Sequence, residues 1–135
     1  MAMRQSENEI LARAYIQALN AGDADAVAAC VSDDFVNEHT SSMGESVVGR
    51  DNYRQRLVAF LAEFRELRYE IEEVIADGQR IALPYRMSAR WIDANGEQHP
   101  FTIRGMFRFQ LRDGLICHRV DYWDSGDFQR QVETG

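Results

Sequence analysis

The hydrophobic positions of this chain change their spacing once, about halfway along. In the first half they recur every three or four residues. Ile10, Leu11, Ala14, Tyr15, Ala18 and Leu19 fall on one helical face. Ser6-x-x-Glu9 reads as the capping box that opens this helix, and Gly22 as the glycine that closes it. Asp23 then caps a short helix from Ala24 to Cys30. Phe35 to Thr40 reads as a short strand, and residues 41–49 as a loop. A third helix is expected from Arg50 to Phe64, with Tyr53, Leu57, Phe60, Leu61 and Phe64 on one stripe.

In the second half the spacing falls to two. Leu67, Tyr69 and Ile71 alternate with Arg68, Glu70 and Glu72. Asp77-Gly78, Asn95-Gly96 and Asp113-Gly114 punctuate the rest into strands at Arg80 to Ile92, Glu97 to Arg112 and Leu115 to Asp124. Such dipeptides between alternating runs are strong hairpin signals. Asp127 to Glu133 reads as a short closing helix or tail. The order ααβαββββ predicts an α+β domain, a curved antiparallel sheet wrapped around helices.

The faces of the long strands depend on register. A two-residue turn at Asp113-Gly114 sets Phe109 opposite His118 and Phe107 opposite Val120, and leaves Asp121 on the more polar face. A glycine inside a strand often marks a bulge, and one extra residue switches the parity. A bulge near Gly105 would gather Arg86, Ser88, Phe101, Ile103, Asp121 and Trp123 on one concave face. The alternative is a plain sheet with a solvated Asp121. With the bulge, Phe107, Phe109, Ile116, Val120 and Tyr122 form an outward apolar face, too large to leave bare. That face predicts a homodimer through the sheet, with Phe107, Phe109 and Tyr122 at its interface and His118 at its rim.

Composition narrows the class. The 135 residues suit one domain, 1–135, with a core and room for a pocket. Apolar residues make up 45% and charged residues 27%, ordinary globular values. The net charge of −7 argues against nucleic acid as the partner, since phosphate binding needs a basic face. All 15 basic residues are Arg, which removes Schiff-base and P-loop lysine chemistry. No run of 18 apolar residues spans a membrane, and the start MAMRQSENEI is too polar for a signal peptide. Cys30 and Cys117 lack paired spacing and read as reduced thiols in a cytoplasmic protein. His39, His99 and His118 show no ligand spacing, so no metal is expected.

Several spaced landmarks resemble one superfamily. The segment from Tyr15 through Gly22-Asp23 resembles the first helix and turn of nuclear-transport-factor-2-like proteins, ketosteroid isomerase in particular. Gly49-Arg50 fits the start of a later helix. The stretch from Asp77-Gly78 through Gly105 to Asp121-Tyr-Trp-Asp124 resembles limonene epoxide hydrolase and the SnoaL-like polyketide cyclases. The resemblance implies a cone-shaped domain with a pocket between helices and sheet, often paired as a dimer. Against ketosteroid isomerase, Tyr15 matches an oxyanion donor, the base position falls on His39 beside Glu38, and the second donor falls on Gly105. Against the epoxide hydrolase, Asn37, Arg86 and Asp121 match, while Phe35 and Ser88 stand where a Tyr and an acid Asp would be. The cyclases fit better, because they depend chiefly on one acid/base Asp at the place of Asp121.

The candidate chemistry follows. A carboxylate in an apolar pocket has a raised pKa and exchanges protons near neutrality, which nominates Asp121, with Arg86 to position it. Asn37 or Tyr15 would hold developing negative charge on oxygen, and His39 is a second candidate base. Phe35, Ser88, Phe101, Ile103 and Trp123 are the expected pocket residues, with Trp91 as a further aromatic. Arg104, Arg108 and Arg119 crowd one stretch of sheet. Glu70, Glu72 and Glu73 are their ordinary partners, and an anionic substrate group is the sharper alternative. The leading expectation is a cofactor-independent SnoaL-like enzyme acting on a small hydrophobic carbonyl or polycyclic compound. The rival is a non-catalytic ligand-binding or dimerisation module of the same fold.

Overall fold

A computed structural model describes residues 7–133. Ser6 of the expected capping box lies outside the described residues. The helices are α1 (Glu7–Ala21), α2 (Ala24–Ala28), α3 (Arg50–Glu63) and α4 (Ser125–Glu133). The strands are β1 (Val31–His39), β2 (Val47–Val48), β3 (Phe64–Ile71), β4 (Ile75–Asp77), β5 (Arg80–Ile92), β6 (Gln98–Arg112) and β7 (Leu115–Trp123). They form one mixed, open, curved sheet in the order β2-β1-β7-β6-β5-β3, with β4 on β5. Three helices follow the expected bounds closely because their caps are local. Gly22 takes φ +67° at the end of α1, and the Asp23 carboxylate accepts the Ala26 amide at the start of α2. The seam α1 buries is Ala12, Tyr15, Ile16 and Leu19, while Ile10 stays exposed.

The sheet is not wholly antiparallel. β1 runs parallel to β7, with Asn37 beside Arg119 and His39 beside Asp121. The concave face closes over α1 and α3, and its inward side chains are aromatic or branched. Ile81, Leu83, Phe107, Phe109 and Ile116 have no exposure at all.

Two local irregularities decide which residues face inward, and neither is at Gly105. The first is the β5–β6 turn. Asp93 accepts the amides of Asn95 and Glu97 on one carboxylate oxygen, and its other oxygen lies 2.7 Å from His99 Nε2. This staple makes a three-residue loop, Ala94-Asn95-Gly96, instead of a two-residue one. Phe101 therefore faces Ala89, not Arg90, and Tyr85 faces Gly105. The second is in β7. Asp113-Gly114 does form a tight turn, both residues at positive φ, and Leu111 pairs with Ile116 as expected. Gln110 then pairs with His118, so Cys117 is an extra residue. Its thiol turns back to the Gln110 carbonyl at 3.3 Å.

These shifts correct four expectations. Arg86 lies exposed on the convex face, opposite Glu70 and Arg104, away from Asp121. Ser88 shares that face, in a shallow groove with Glu66, Arg90 and Gln131. Phe35 is core, edge-on to Tyr53 at 4.8 Å, and does not line the main cavity. Phe107 and Phe109 point inward beside Asp121 and Arg119, so they cannot form an outward interface. The convex face of the last hairpin instead carries Met106 opposite Tyr122 and Arg108 opposite Val120.

Gly105 has a different task from the expected one. The ladder through it is regular, with Tyr85 and Trp123 as its two neighbours. A β-carbon there would collide with the ring and hydroxyl of Tyr85 and with the Tyr122 carbonyl. The missing side chain is the space Tyr85 occupies. Gly105→Ala is expected to cost about 1–3 kcal/mol by overpacking. Tyr85→Phe in that background should recover part of the loss. Urea denaturation of the single and double variants gives the comparison; an unchanged midpoint for Gly105→Ala contradicts the account.

Candidate functional site

Between the concave face and the helices lies a cavity of about 550 Å³. Its walls are mostly apolar or aromatic. Phe60 and Phe64 come from the α3–β3 junction, Phe101 and Ile103 from β6, Trp123 from β7 and Phe128 from α4. The rim carries two charged residues from α3. Arg56 pairs with Glu45 of the 40–46 loop, and Glu63 accepts the Trp91 indole N–H at 2.8 Å. The polar end is built where β1 lies along β7, and it gathers Asn37, His39, Arg119 and Asp121, with Tyr85 reaching across from β5.

Asp121 is 5% exposed. Tyr85 donates its hydroxyl to Oδ1 at 2.6 Å, and Oδ2 lies 3.6 Å from His39 Nδ1. The Asp121 backbone carbonyl accepts from the Thr40 amide and hydroxyl, which fastens β7 to the end of β1. His39 is held on three sides. Its backbone N–H donates to Ser46 Oγ, and Gly44 packs so tightly against the ring that no β-carbon fits there. The Trp123 indole N–H, which can only donate, approaches Nδ1 at 3.2 Å. Nδ1 is therefore the acceptor and Nε2 carries the proton. Asn37 Nδ2, 3.4 Å from Nε2, is then a contact between two donors.

Asn37 has its amide orientation set by a cation. Arg119 Nε donates to Asn37 Oδ1 at 2.7 Å, leaving Nδ2 on the His39 side. Arg119 Nη1 donates to the Tyr15 hydroxyl at 3.0 Å, and that hydroxyl shares a hydrogen bond with Tyr53. The guanidinium stacks on the Phe107 ring, 4.6 Å from its centroid.

Burial sets the electrostatics. It pushes the Asp121 carboxyl above its usual range, against the opposing pull of Arg119 and the Tyr85 hydrogen bond. It pushes His39 down to about 3, helped by the positive charges of Arg119 and Arg56, so the imidazole is neutral at working pH. Of this pair the carboxyl therefore takes up a proton before the imidazole does. Burial also raises Tyr15, Tyr53, Tyr69 and Tyr85, so all four are neutral phenols.

Of the residues singled out from sequence, the structure brings Asp121, Asn37, His39, Trp91, Phe101, Ile103 and Trp123 to this cavity. Tyr15 stands behind it, unexposed, touching the site only through Arg119 and Tyr53. Arg86, Ser88 and Phe35 lie elsewhere, as described. Sequence reasoning missed Tyr53, Tyr69 and Tyr85 as site residues, and named Arg119 only as one of three crowded arginines with an anionic group as the sharper alternative. Tyr85 alternates correctly with Leu83 and Met87, and the three-residue turn was the missing fact. Arg119 sits past the Cys117 bulge, for which the sequence carries no glycine or proline as a signal.

Comparison with known proteins agrees with this architecture. No curated protein matches the chain. A candidate SnoaL-like polyketide cyclase from Shewanella denitrificans superposes with a TM-score of 0.88 at 17% identity, over 97% of this chain and 100% of that one. A candidate polyketide cyclase from Xanthomonas campestris gives 0.79 at 22% identity, over 93% and 96%. A hypothetical protein with a ketosteroid isomerase-like fold from Catenulispora acidiphila, in complex with trimethylamine, gives 0.81 at 15%, over 91% and 92%. Identities this low show the fold alone. The model of the SnoaL-like domain matches residues 12–119, stopping two positions before Asp121. That match covers most of the sequence, and the chain belongs to the SnoaL-like family.

Proposed function

We propose that this protein is a cofactor-independent enzyme of the cyclase, isomerase or hydrolase type. Its substrate would be a small, largely apolar carbonyl or polycyclic compound. The observation that carries the reading is the placement of Asp121. It is a buried carboxyl at the polar end of an aromatic-walled cavity, with one oxygen held by Tyr85. Oδ2 is left to work as the base. It would remove a proton from carbon next to the substrate carbonyl, the electron pair passing to the carbonyl oxygen as an enolate. Asn37 Nδ2 and His39 Nε2 are the donors on hand for that oxygen. The same carboxyl, now protonated, would return the proton at another position or assist bond closure. In this reading Arg119 takes the positioning role expected of Arg86, and Tyr15 supports it from behind.

A specific observation favours a second reading, a binding module without turnover. The other carboxylates that line the cavity, Glu45 and Glu63, are occupied at the rim by Arg56 and Trp91. Asp121 therefore has no carboxyl partner to relay protons. A stability screen against small hydrophobic compounds separates the two readings, since a ligand at one hundred times its Kd adds about 2.7 kcal/mol. Ligands that stabilise and are never converted favour the module.

Two outcomes test the enzymatic reading. Asp121→Asn keeps the shape and removes the proton carrier, so kcat on a converted compound should fall by about 10²–10⁴-fold. Unchanged turnover refutes the role. Tyr85→Phe tests the tuning. The Tyr85 hydroxyl stabilises the ionised carboxylate and lowers the Asp121 pKa. Its loss should move the acid limb of kcat/KM to higher pH. A limb that stays in place, or moves to lower pH, removes Tyr85 from the mechanism.

A further inference from the structure

The three arginines that the sequence crowds together part company in the fold. Arg104 and Arg108 remain exposed on the convex face, where Arg104 meets Glu72 at 3.0 Å and Arg108 meets the Tyr122 hydroxyl at 3.3 Å. Arg119 faces the cavity and is 5% exposed. Its surroundings are unusual for a buried cation. Nε is taken by Asn37 and Nη1 by Tyr15, both uncharged. The faces of Phe107 and Tyr53 supply only ring electrons. Among the described residues no carboxylate lies within 4.0 Å of the guanidinium, and Nη2 has no hydrogen-bond partner. Asp121 acts on it only from farther away.

A guanidinium keeps its charge at any working pH, and a buried charge without an anion in contact is costly. With Nε and Nη1 taken, Nη2 is the guanidinium nitrogen left to donate, and a charge-assisted hydrogen bond from it to a carboxylate or enolate oxygen is among the strong kinds. We propose that the cavity binds a flat, ring-bearing monoanion whose oxyanion is held by Arg119 Nη2 and whose rings lie against Phe101 and Trp123. The proposal rests on reading the cavity as the substrate site and narrows the substrate class from neutral carbonyl compounds to acidic ones. The overall charge of −7 repels such a ligand at long range, but salt screens that field beyond about 8–10 Å, and the local cation decides binding. Arg56 at the rim does not compete, because Glu45 already neutralises it.

The test compares two probes with the same rings, 2-naphthoate and the neutral ketone 2-acetylnaphthalene, by calorimetry on the full chain near neutral pH. The naphthoate is expected to bind on the order of tenfold tighter or better, the range of a charge-assisted hydrogen bond. Arg119→Met should abolish the preference, since Met keeps bulk and removes charge. Equal or tighter binding of the ketone by the wild type overturns the proposal while leaving the cavity as a binding site. Retention of the preference by Arg119→Met overturns it as well. Failure of both probes to bind removes the proposal together with the reading of the cavity as a site for ring-bearing molecules. The wild-type comparison decides on its own where Arg119→Met does not fold.

Discussion

The site of this protein depends on one extra residue. Strict alternation from the Asp113-Gly114 turn would bury His118 and Val120 and place Arg119 and Asp121 in solvent. Cys117 interrupts it, and its thiol turns back to the Gln110 carbonyl at the point of the bulge. Beyond it, Arg119 and Asp121 face inward beside Phe109 and Phe107. The greasy face of β6 and the charged end of the cavity are therefore the same face. A cation stacked on Phe107 and a carboxyl pushed up by burial both follow from that coincidence.

The elements were legible in the sequence, because helices and hairpins are announced locally. Gly22, Asp23 and Gly49 mark helix ends, and Asp113-Gly114 forms the tight turn it advertises. Face assignment was not, because it accumulates every one-residue shift along a strand. Asn95-Gly96 looks like a two-residue turn, but the Asp93 staple makes the loop one residue longer and flips β5 against β6. The Cys117 bulge flips β7 again. The expected parity switch therefore exists, at a cysteine of β7 instead of a glycine of β6. The consequence is uneven. Asp121, Phe101, Ile103 and Trp123 meet in the cavity, whereas Arg86 and Ser88 are carried to the opposite side. An arginine near Asp121 was expected, and one is there, from a different strand.

The polar end is organised for specificity more than for stability. Six side chains from three strands make a connected set in which each group limits its neighbour. Trp123 fixes the tautomer of His39, Arg119 fixes the rotamer of Asn37, and Tyr85 occupies one oxygen of Asp121. Buried polar networks are costly when incomplete and rigid when satisfied. Here satisfaction is complete at the imidazole Nδ1 and the Asn37 oxygen, and stops short at the imidazole Nε2, the guanidinium and the carboxyl. Those are the places where a ligand atom would find an unfilled valence of hydrogen bonding.

The parallel pairing of β1 with β7 joins the first strand of the chain to the last. Asn37 and Arg119 are 82 residues apart in sequence, so their hydrogen bond is strongly non-local. Contacts of such separation form late, after the entropy of closing the intervening chain has been met. The hairpins β5–β6 and β6–β7 can assemble early and without any site, since neither brings β1 to β7. On a ribosome the same order is enforced, because β7 emerges after every other strand of the sheet. The reactive constellation is thus complete only once β1 has paired with β7, because Asn37 and His39 stand on one strand and Arg119 and Asp121 on the other.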